Sequence, residues 1–368
     1  MEKPIRVLQF SLSENIGGIE TFLRNLYKQF NHDEIQFDFV TTYNCPVYKT
    51  ELIASGARIY KVPSPKNAIG YYLAIKRIIT ENNYSVVHIN KNSGADLVPF
   101  IVSKNLGVPV VIAHAHNTKS TVGKLADVLS CLNRSRMDKY ATHYLASSEE
   151  AANWMFGKNF CKETHVPILK NAICLSDFSY QPDKRNEVRH RLSVVDKFVV
   201  GHVGKFSGRK NHEFLLEIFK EIHLRKPESV LLLAGTGPLV AQVQQKAQAL
   251  GIGDAVMFMG AQNNVNEYFS AMDAFVMPSL LEDLPVAAIE AQAAGLPLFL
   301  SDTIDRDAEV TPNVKWLSLE QPPSIWADMI LNTCEVMERK PQDEAIKNAG
   351  YDMAEIAEQL KDVYLKTE

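Results

Sequence analysis

Short apolar runs separated by helix-length spacers recur along this whole chain, and that alternation constrains the fold more than any single motif. In the first half the runs fall at residues 5–10, 37–41, 58–62, 86–89, 110–113, 143–146 and 165–168. In the second half they fall at 198–203, 230–234, 256–259, 274–278 and 298–300. Runs this short, apolar on both faces, read as strands of a parallel sheet, because the crossover helices cover each face. The spacers agree: Ile19, Phe22, Leu23, Leu26, Tyr27 and Phe30 repeat as one buried helix face, as do Tyr72, Ile75, Ile78 and Ile79 within 71–80. Further helices are predicted at 211–223, 239–250, 265–272 and 286–294, and over the tail at 345–365. The pattern is α/β with doubly wound sheets. At 368 residues the chain exceeds one ordinary core, so two domains are expected. The polar stretch Gln181-Pro182-Asp183-Lys184-Arg185-Asn186-Glu187 marks the passage between them, giving domains at 1–180 and 181–345 and a last segment at about 346–368.

The stretch at 279–297 sets Glu282 and Glu290 eight positions apart, directly after the apolar run 274–278. Leu284-Pro285 reads as a helix start, and Gly295 with Pro297 as its stop. Glu282 then lies in the loop at a strand's carboxyl end, and Glu290 a turn or two into the following helix. In an open parallel sheet that end binds ligands, and the helix N-terminus offers free N–H groups to an anion. A carboxylate further along can accept both hydroxyls of a ribose, each charge-assisted bond contributing about 1.5–3 kcal/mol. Taken alone, such a pair is more often two solvated surface charges.

The surroundings shift that balance. Pro278-Ser279, Glu282, Leu284-Pro285, Glu290-Ala291, Ala293, Gly295 and Pro297 resemble the pattern P-S-x-x-E-G-L-P-x-x-x-x-E-A-x-A-x-G-x-P of the family 4 glycosyltransferases, nucleotide-sugar-dependent enzymes with the GT-B fold. The likeness runs from Gly17-Gly18 to Ser301-Asp302 and beyond, and looks closest to bacterial members that build exopolysaccharide or capsule. It implies two Rossmann-like domains facing a central cleft, with the last helix crossing back onto the first domain. It implies a retaining, metal-independent, hexosyltransferase-type enzyme that needs no cofactor. The donor would be a nucleotide sugar, with UDP the favoured carrier, and the acceptor a glycan or lipid-linked oligosaccharide. In the family's terms Glu290 holds the ribose, Lys205 and Lys210 the diphosphate, and Glu282, Asp283 and the N–H groups near Leu284 the donor sugar and its phosphates. Three departures stand out: Asp283 where the family has Gly, Lys205 where it has Arg, and Lys170-Asn171-Ala172-Ile173-Cys174 where it often has N-G-I-D. They keep a rival open, a non-catalytic partner subunit of the same fold; a sugar-nucleotide epimerase of that fold class is the enzymatic runner-up.

Other constellations read two ways. Gly17-Gly18 joins the first strand to the first helix and is either a tight turn or a backbone that approaches a diphosphate or an acceptor. Lys205 and Lys210 flank the flexible Phe206-Ser207-Gly208-Arg209 loop and can clamp a diphosphate as point charges, although loop lysines are usually just solvated. Gly235-Thr236-Gly237-Pro238 has two of the three glycines of a dinucleotide fingerprint, and the resemblance places it lining the donor site. His114 and His116 end a strand; the family has one cleft histidine that helps stabilise charge at the anomeric carbon, His116 being preferred and His114 following if the register shifts. Asp305-Arg306-Asp307 has the spacing of a metal-holding D-x-D but falls outside the donor motifs. It reads as a solvated loop, and no metal is expected. The loop Met259-Gly260-Ala261-Gln262-Asn263 is where base reading is expected.

Composition excludes more than it selects. Net charge of −4 gives no case for nucleic acid. Cys45, Cys131, Cys161, Cys174 and Cys334 are scattered without metal-ligand spacing, as in a reducing cytosol. Met1-Glu2-Lys3-Pro4 runs straight into a strand without a signal peptide's apolar core, and no run approaches the ~20 residues of a membrane span. A cytoplasmic protein is expected. One segment suggests contact with the inner face of a membrane: Lys124, Arg134, Arg136 and Lys139 share a helical stretch with Leu125, Val128, Leu129 and Leu132. Such a helix either rests on anionic lipid or has one face packed and one wet.

Overall fold

The computed structural model describes residues 3–117, 124–262, 264–282 and 284–366, and within a helix it leaves the side chains of 124–127 and 135 undescribed. The chain divides into two compact units. The first comprises residues 1–172 and 352–368, the second 173–351.

The first unit holds β1 (Ile5–Phe10), β2 (Ile35–Thr41), β3 (Arg58–Lys61), β4 (Val86–Lys91), β5 (Val110–Ala115) and β6 (His143–Ala146). The sheet is parallel throughout, in the order β3-β2-β1-β4-β5-β6. The second unit holds β7 (Phe198–Val203), β8 (Ser229–Ala234), β9 (Val256–Gly260), β10 (Ala274–Met277), β11 (Leu298–Ser301) and β12 (Val314–Leu317). Its order, β12-β11-β10-β7-β8-β9, is the same arrangement seen from the other edge. This is the doubly wound order, which reverses between β1 and β4 in one unit and between β7 and β10 in the other. Loops at the carboxyl ends of those four strands therefore diverge to opposite faces and leave a crevice.

Both cores follow from the sequence pattern. Val87, Ile89, Val111 and Ala113 are buried in the first sheet, and Val199, Leu232, Phe275 and Leu298 in the second. The helix Gly18–Gln29 buries Ile19, Phe22, Leu23, Leu26 and Tyr27, the face its spacing predicts.

The structure differs from the sequence reading in four places. Residues 165–168 are not a strand; they make a single bridge, Ile168 to Ala146. The polar stretch at 181–187 begins the helix Pro182–Arg191, well inside the second unit, and the chain divides between Ala172 and Ile173. That helix is ordered by its long cations: Arg185 and Arg189 reach Asp273 and both donate to the Ala271 carbonyl, one at the end of the helix Val265–Ala271. The tail is two helices, Asp343–Asn348 in the second unit and Met353–Leu365 in the first, broken at Gly350 with φ +78°. β12 is an edge strand that the apolar runs did not reveal.

Candidate functional site

In the second unit the loops after β7 and β10 are tied together across the switch point. Leu280 N–H donates to the Arg209 carbonyl at 2.7 Å, and the Arg209 guanidinium returns bonds of 3.3 and 3.2 Å to the Leu281 carbonyl. These ties bring Lys210 to Glu282, with Nζ 3.1 Å from Oε1 and the two side chains only 15% and 16% exposed. Two of the predicted donor residues are thus one partly buried ion pair. Lys205, at the base of the same loop, is exposed.

Gly235 and Gly237 act through their lack of a side chain. Both have positive φ, +144° and +159°. A Cβ on Gly235 would stand 2.0 Å from the Gly204 carbonyl oxygen, and one on Gly237 2.3 Å from that of Phe206. The glycines let the loop after β8 lie flat on the lysine loop, where Phe206 N–H donates to the Thr236 carbonyl at 2.9 Å. Their shown effect is therefore to place Lys205 and Lys210.

Leu284 is half-buried, just ahead of the helix Val286–Ala293. Glu290, in that helix's second turn, is also half-buried, with no ion pair to a cation among the described residues; desolvation pushes its carboxyl up to about 7. Asp283 and Asn263, both singled out from the sequence, lie outside the described residues.

The first unit carries its own cavity, about 800 Å³, at the carboxyl ends of β1, β4 and β5. Gly17, Gly18, Glu20, Lys91, Asp96, His116 and Asn171 line it. Gly17 caps the helix Gly18–Gln29, and a Cβ there would stand 2.6 Å from Glu20 Oε2. The Glu20 carboxylate curls back over the loop and accepts Ser13 N–H at 3.2 Å. Gly18 meets no such constraint. Lys91 is neutralised by Asp96 at 2.7 Å, which also accepts the Tyr71 hydroxyl at 3.2 Å.

The two histidines lie side by side, with ring centroids 4.0 Å apart, but at different depths. His116 lines the cavity, whereas His114 is fully buried behind it with Nδ1 3.2 Å from His88 Nε2. Burial lowers the His116 pKa to about 3, with Asn171 beside it pulling weakly the other way, so the ring is neutral at physiological pH.

Asp305 spends its carboxylate capping the short turn Arg306–Ala308, accepting Asp307 N–H at 2.9 Å, while Arg306 stacks on Trp316 at 4.1 Å. Among the described residues no group of three or more His, Cys, Asp or Glu is placed to hold a metal. On the helix Lys124–Met137, Val128, Leu129 and Leu132 are exposed, as are Arg136 and, beyond the helix, Lys139. Arg134 instead bonds the Trp154 carbonyl at 2.9 Å and lies over that ring. The side chains of Lys124 and Leu125 lie outside the described set. No helix among the described residues is long and apolar enough to cross a membrane.

Sequence reasoning missed Glu20 and Asp96, and singled out Asn171 only as part of the departure at 170–174. Glu20 had a legible signal, an acid in the first turn of a helix whose cap is a glycine. Asp96 is placed by tertiary structure alone.

Comparison with known proteins agrees with this geometry. Residues 183–352 match the family model for glycosyl transferases group 1. The chain is 33% identical to the putative glycosyltransferase EpsF of Bacillus subtilis over 98% of this chain and 96% of that one. It is 20% identical to the Escherichia coli UDP-Gal:alpha-D-GlcNAc-diphosphoundecaprenol alpha-1,3-galactosyltransferase, over 98% and 97% of the two chains. Among solved structures it resembles Anabaena Alr3699/HepE, determined in complex with UDP and glucose, with a TM-score of 0.73 at 17% identity, covering 98% of this chain and 100% of that one. The two parallel sheets, the tied loops at the switch point of the second and these likenesses converge: the chain belongs to the glycosyl transferases of group 1 and has the GT-B fold.

Proposed function

We propose that this protein is a retaining hexosyltransferase that moves a sugar from a UDP-sugar to a glycan or lipid-linked acceptor in cell-surface polysaccharide synthesis. The observation that carries the reading is the Lys210–Glu282 pair at the switch point of the second sheet. A cation suited to a diphosphate and a carboxylate suited to sugar hydroxyls are held side by side there. In this scheme Glu290 takes the ribose hydroxyls, and Lys205 and Lys210 take the diphosphate with the N–H groups near Leu284. Glu282 and Asp283 take hydroxyls of the donor sugar. Those cations stand where other transferases use a metal, so none is required. The names of the relatives support the donor and the setting: one structure is bound to UDP and glucose, and one relative acts with UDP-Gal on a diphosphoundecaprenol-linked sugar.

The acceptor belongs to the first unit, near Gly17, Gly18 and His116. Glu20 favours that assignment, because its carboxylate already occupies the helix N-terminus where a phosphate would otherwise sit. The acceptor oxygen attacks the anomeric carbon from the face the diphosphate leaves, the carbon–phosphate-oxygen bond breaks, and the acceptor proton passes to the departing phosphate oxygen. Positioning and charge stabilisation supply the rate, and the neutral His116 ring lines the acceptor cavity. The exposed apolar and basic residues of the helix Lys124–Met137 suit peripheral contact with the anionic inner face of a membrane.

A thermal-unfolding screen of nucleoside diphosphates and nucleotide sugars tests the reading. A ligand at 100 times its Kd stabilises by about 2.7 kcal/mol, and UDP and its sugars should do so. If no nucleotide shifts the midpoint, the donor assignment fails.

A further inference from the structure

Behind His116 lies a row of polar side chains where a core is expected. Gln9, His88, Asn90 and His114 are all fully buried and come from three adjacent strands, β1, β4 and β5. Gln9 sits opposite His88 and Asn90 opposite His114, so all four share one face of the sheet. A buried polar group is costly unless it is bonded, and these are linked in two pairs, Asn90 with Gln9 and His88 with His114, joined through the Tyr364 hydroxyl.

The bonds have a direction. The Asn90 amide nitrogen is 3.0 Å from Gln9 Oε1 and 3.4 Å from the Phe10 carbonyl oxygen. A carbonyl only accepts, so the Asn90 NH2 faces these two and its Oδ1 is left for His116, whose Nε2 is 2.9 Å away. An amide oxygen also only accepts, so the His116 proton sits on Nε2. At the other end Gln9 Nε2 donates to the Tyr364 hydroxyl at 3.3 Å, and that hydroxyl meets His88 Nδ1 at 2.7 Å. If the phenol gives its proton to His88, it is free to accept from Gln9, and no hydroxyl proton is stranded. His116 Nδ1 is buried beside the Asn171 side chain, and neither Nδ1 nor Asn171 Oδ1 makes a hydrogen bond of proper geometry among the described residues.

We infer that Tyr364, in the last helix, is a positioning residue for the transfer reaction: through Gln9 and Asn90 it holds His116 in its Nε2–H form, so that the ring lining the first-unit cavity is fixed in one tautomer and one orientation. The inference rests on the reading of His116 as a site residue. Without the phenol, Gln9 loses its acceptor and is free to flip, Asn90 follows, and only the long contact to Phe10 still opposes the other tautomer.

The test uses the full chain labelled with 15N at histidine side chains, with the His116 signals assigned by their loss in His116→Gln. The wild type should show Nε2 protonated and Nδ1 bare. Tyr364→Phe keeps the ring packed against Phe30 and Phe37, and should give a mixture of tautomers. Its kcat should fall about three- to tenfold, the weight of one ordinary hydrogen bond, with UDP affinity unchanged. A wild-type His116 protonated on Nδ1 overturns the inference without any variant. A Tyr364→Phe protein with an unaltered His116 signal overturns it as well. A shifted tautomer with unchanged kcat supports the hydrogen-bond chain and instead counts against His116 as a site residue.

Discussion

Glu290→Gln should abolish a pH dependence that the structure builds into the second unit. Burial raises the Glu290 carboxyl from 4.5 to about 7. Below about pH 4.5 the folded and unfolded chains both hold the proton, and the group costs nothing. Between 4.5 and 7 the unfolded chain ionises while the folded one keeps its proton, so stability falls as pH rises. Above about 7 both are ionised and the loss is complete. At 1.36 kcal/mol per pH unit the gap is worth on the order of 3 kcal/mol. Glutamine never ionises, so the variant should match the wild type near pH 4.5 and exceed it by on the order of 3 kcal/mol at pH 8. Urea unfolding at both pH values and at pH 6 reads this directly. A ribose whose hydroxyls donate to Glu290 favours the anion, so UDP binding at pH 6 should expel a proton from the wild type and none from the variant. Buffers of different ionisation heat make that visible by calorimetry. A stability difference that stays constant from pH 4.5 to 8 would refute the desolvation argument, and UDP affinity unchanged in Glu290→Gln would refute the ribose assignment.

Three further outcomes follow from the same site. Lys210 and Glu282 at 3.1 Å attract by about 5 kcal/mol at an effective dielectric of 20, most of it offset by desolvation. A double-mutant cycle with Lys210→Met and Glu282→Gln should leave a coupling of about 1–3 kcal/mol in urea unfolding, and one below ~0.5 kcal/mol would mean the pair does not form. Gly235→Ala must place a Cβ 2.0 Å from the Gly204 carbonyl; it should cost more than about 2 kcal/mol, and a midpoint within a degree of the wild type contradicts the loop packing. Asp283→Gly should lower activity or change it little, whereas a large gain in UDP-sugar affinity would favour a donor-impaired partner subunit. A carboxylate about 4 Å from a phosphate oxygen would cost on the order of 4 kcal/mol.

The central parallel strands were legible because both their faces are buried: Val199 and Val200 in β7, or Phe275 and Val276 in β10, leave no polar alternation to confuse the pattern. β12 was not, since Lys315 is exposed in a four-residue edge strand. The 165–168 run shows the converse failure, apolar residues that make only one bridge. At the site, Glu282 and Lys210 were visible as motif residues, yet their pairing depends on Arg209 tying two loops that the sequence separates by some 70 residues. The polar row behind His116 was invisible for a related reason. Gln9 and His88 lie within apolar runs and His114 just beyond one, and only the order β1-β4-β5 makes them neighbours. Tyr364 joins them from the opposite end of the chain.

The measurement that bears most directly on the central claim is acceptor-dependent release of UDP from UDP-hexoses, in excess chelator, with a lipid extract carrying diphosphate-linked sugars as acceptor. Release should require both the sugar nucleotide and the extract and should survive the chelator. The new glycosidic bond, read by NMR, should keep the anomeric configuration of the donor. Tight binding of a UDP-sugar with no release under any acceptor would contradict transfer and leave a binding subunit; a product of inverted configuration would contradict front-face displacement.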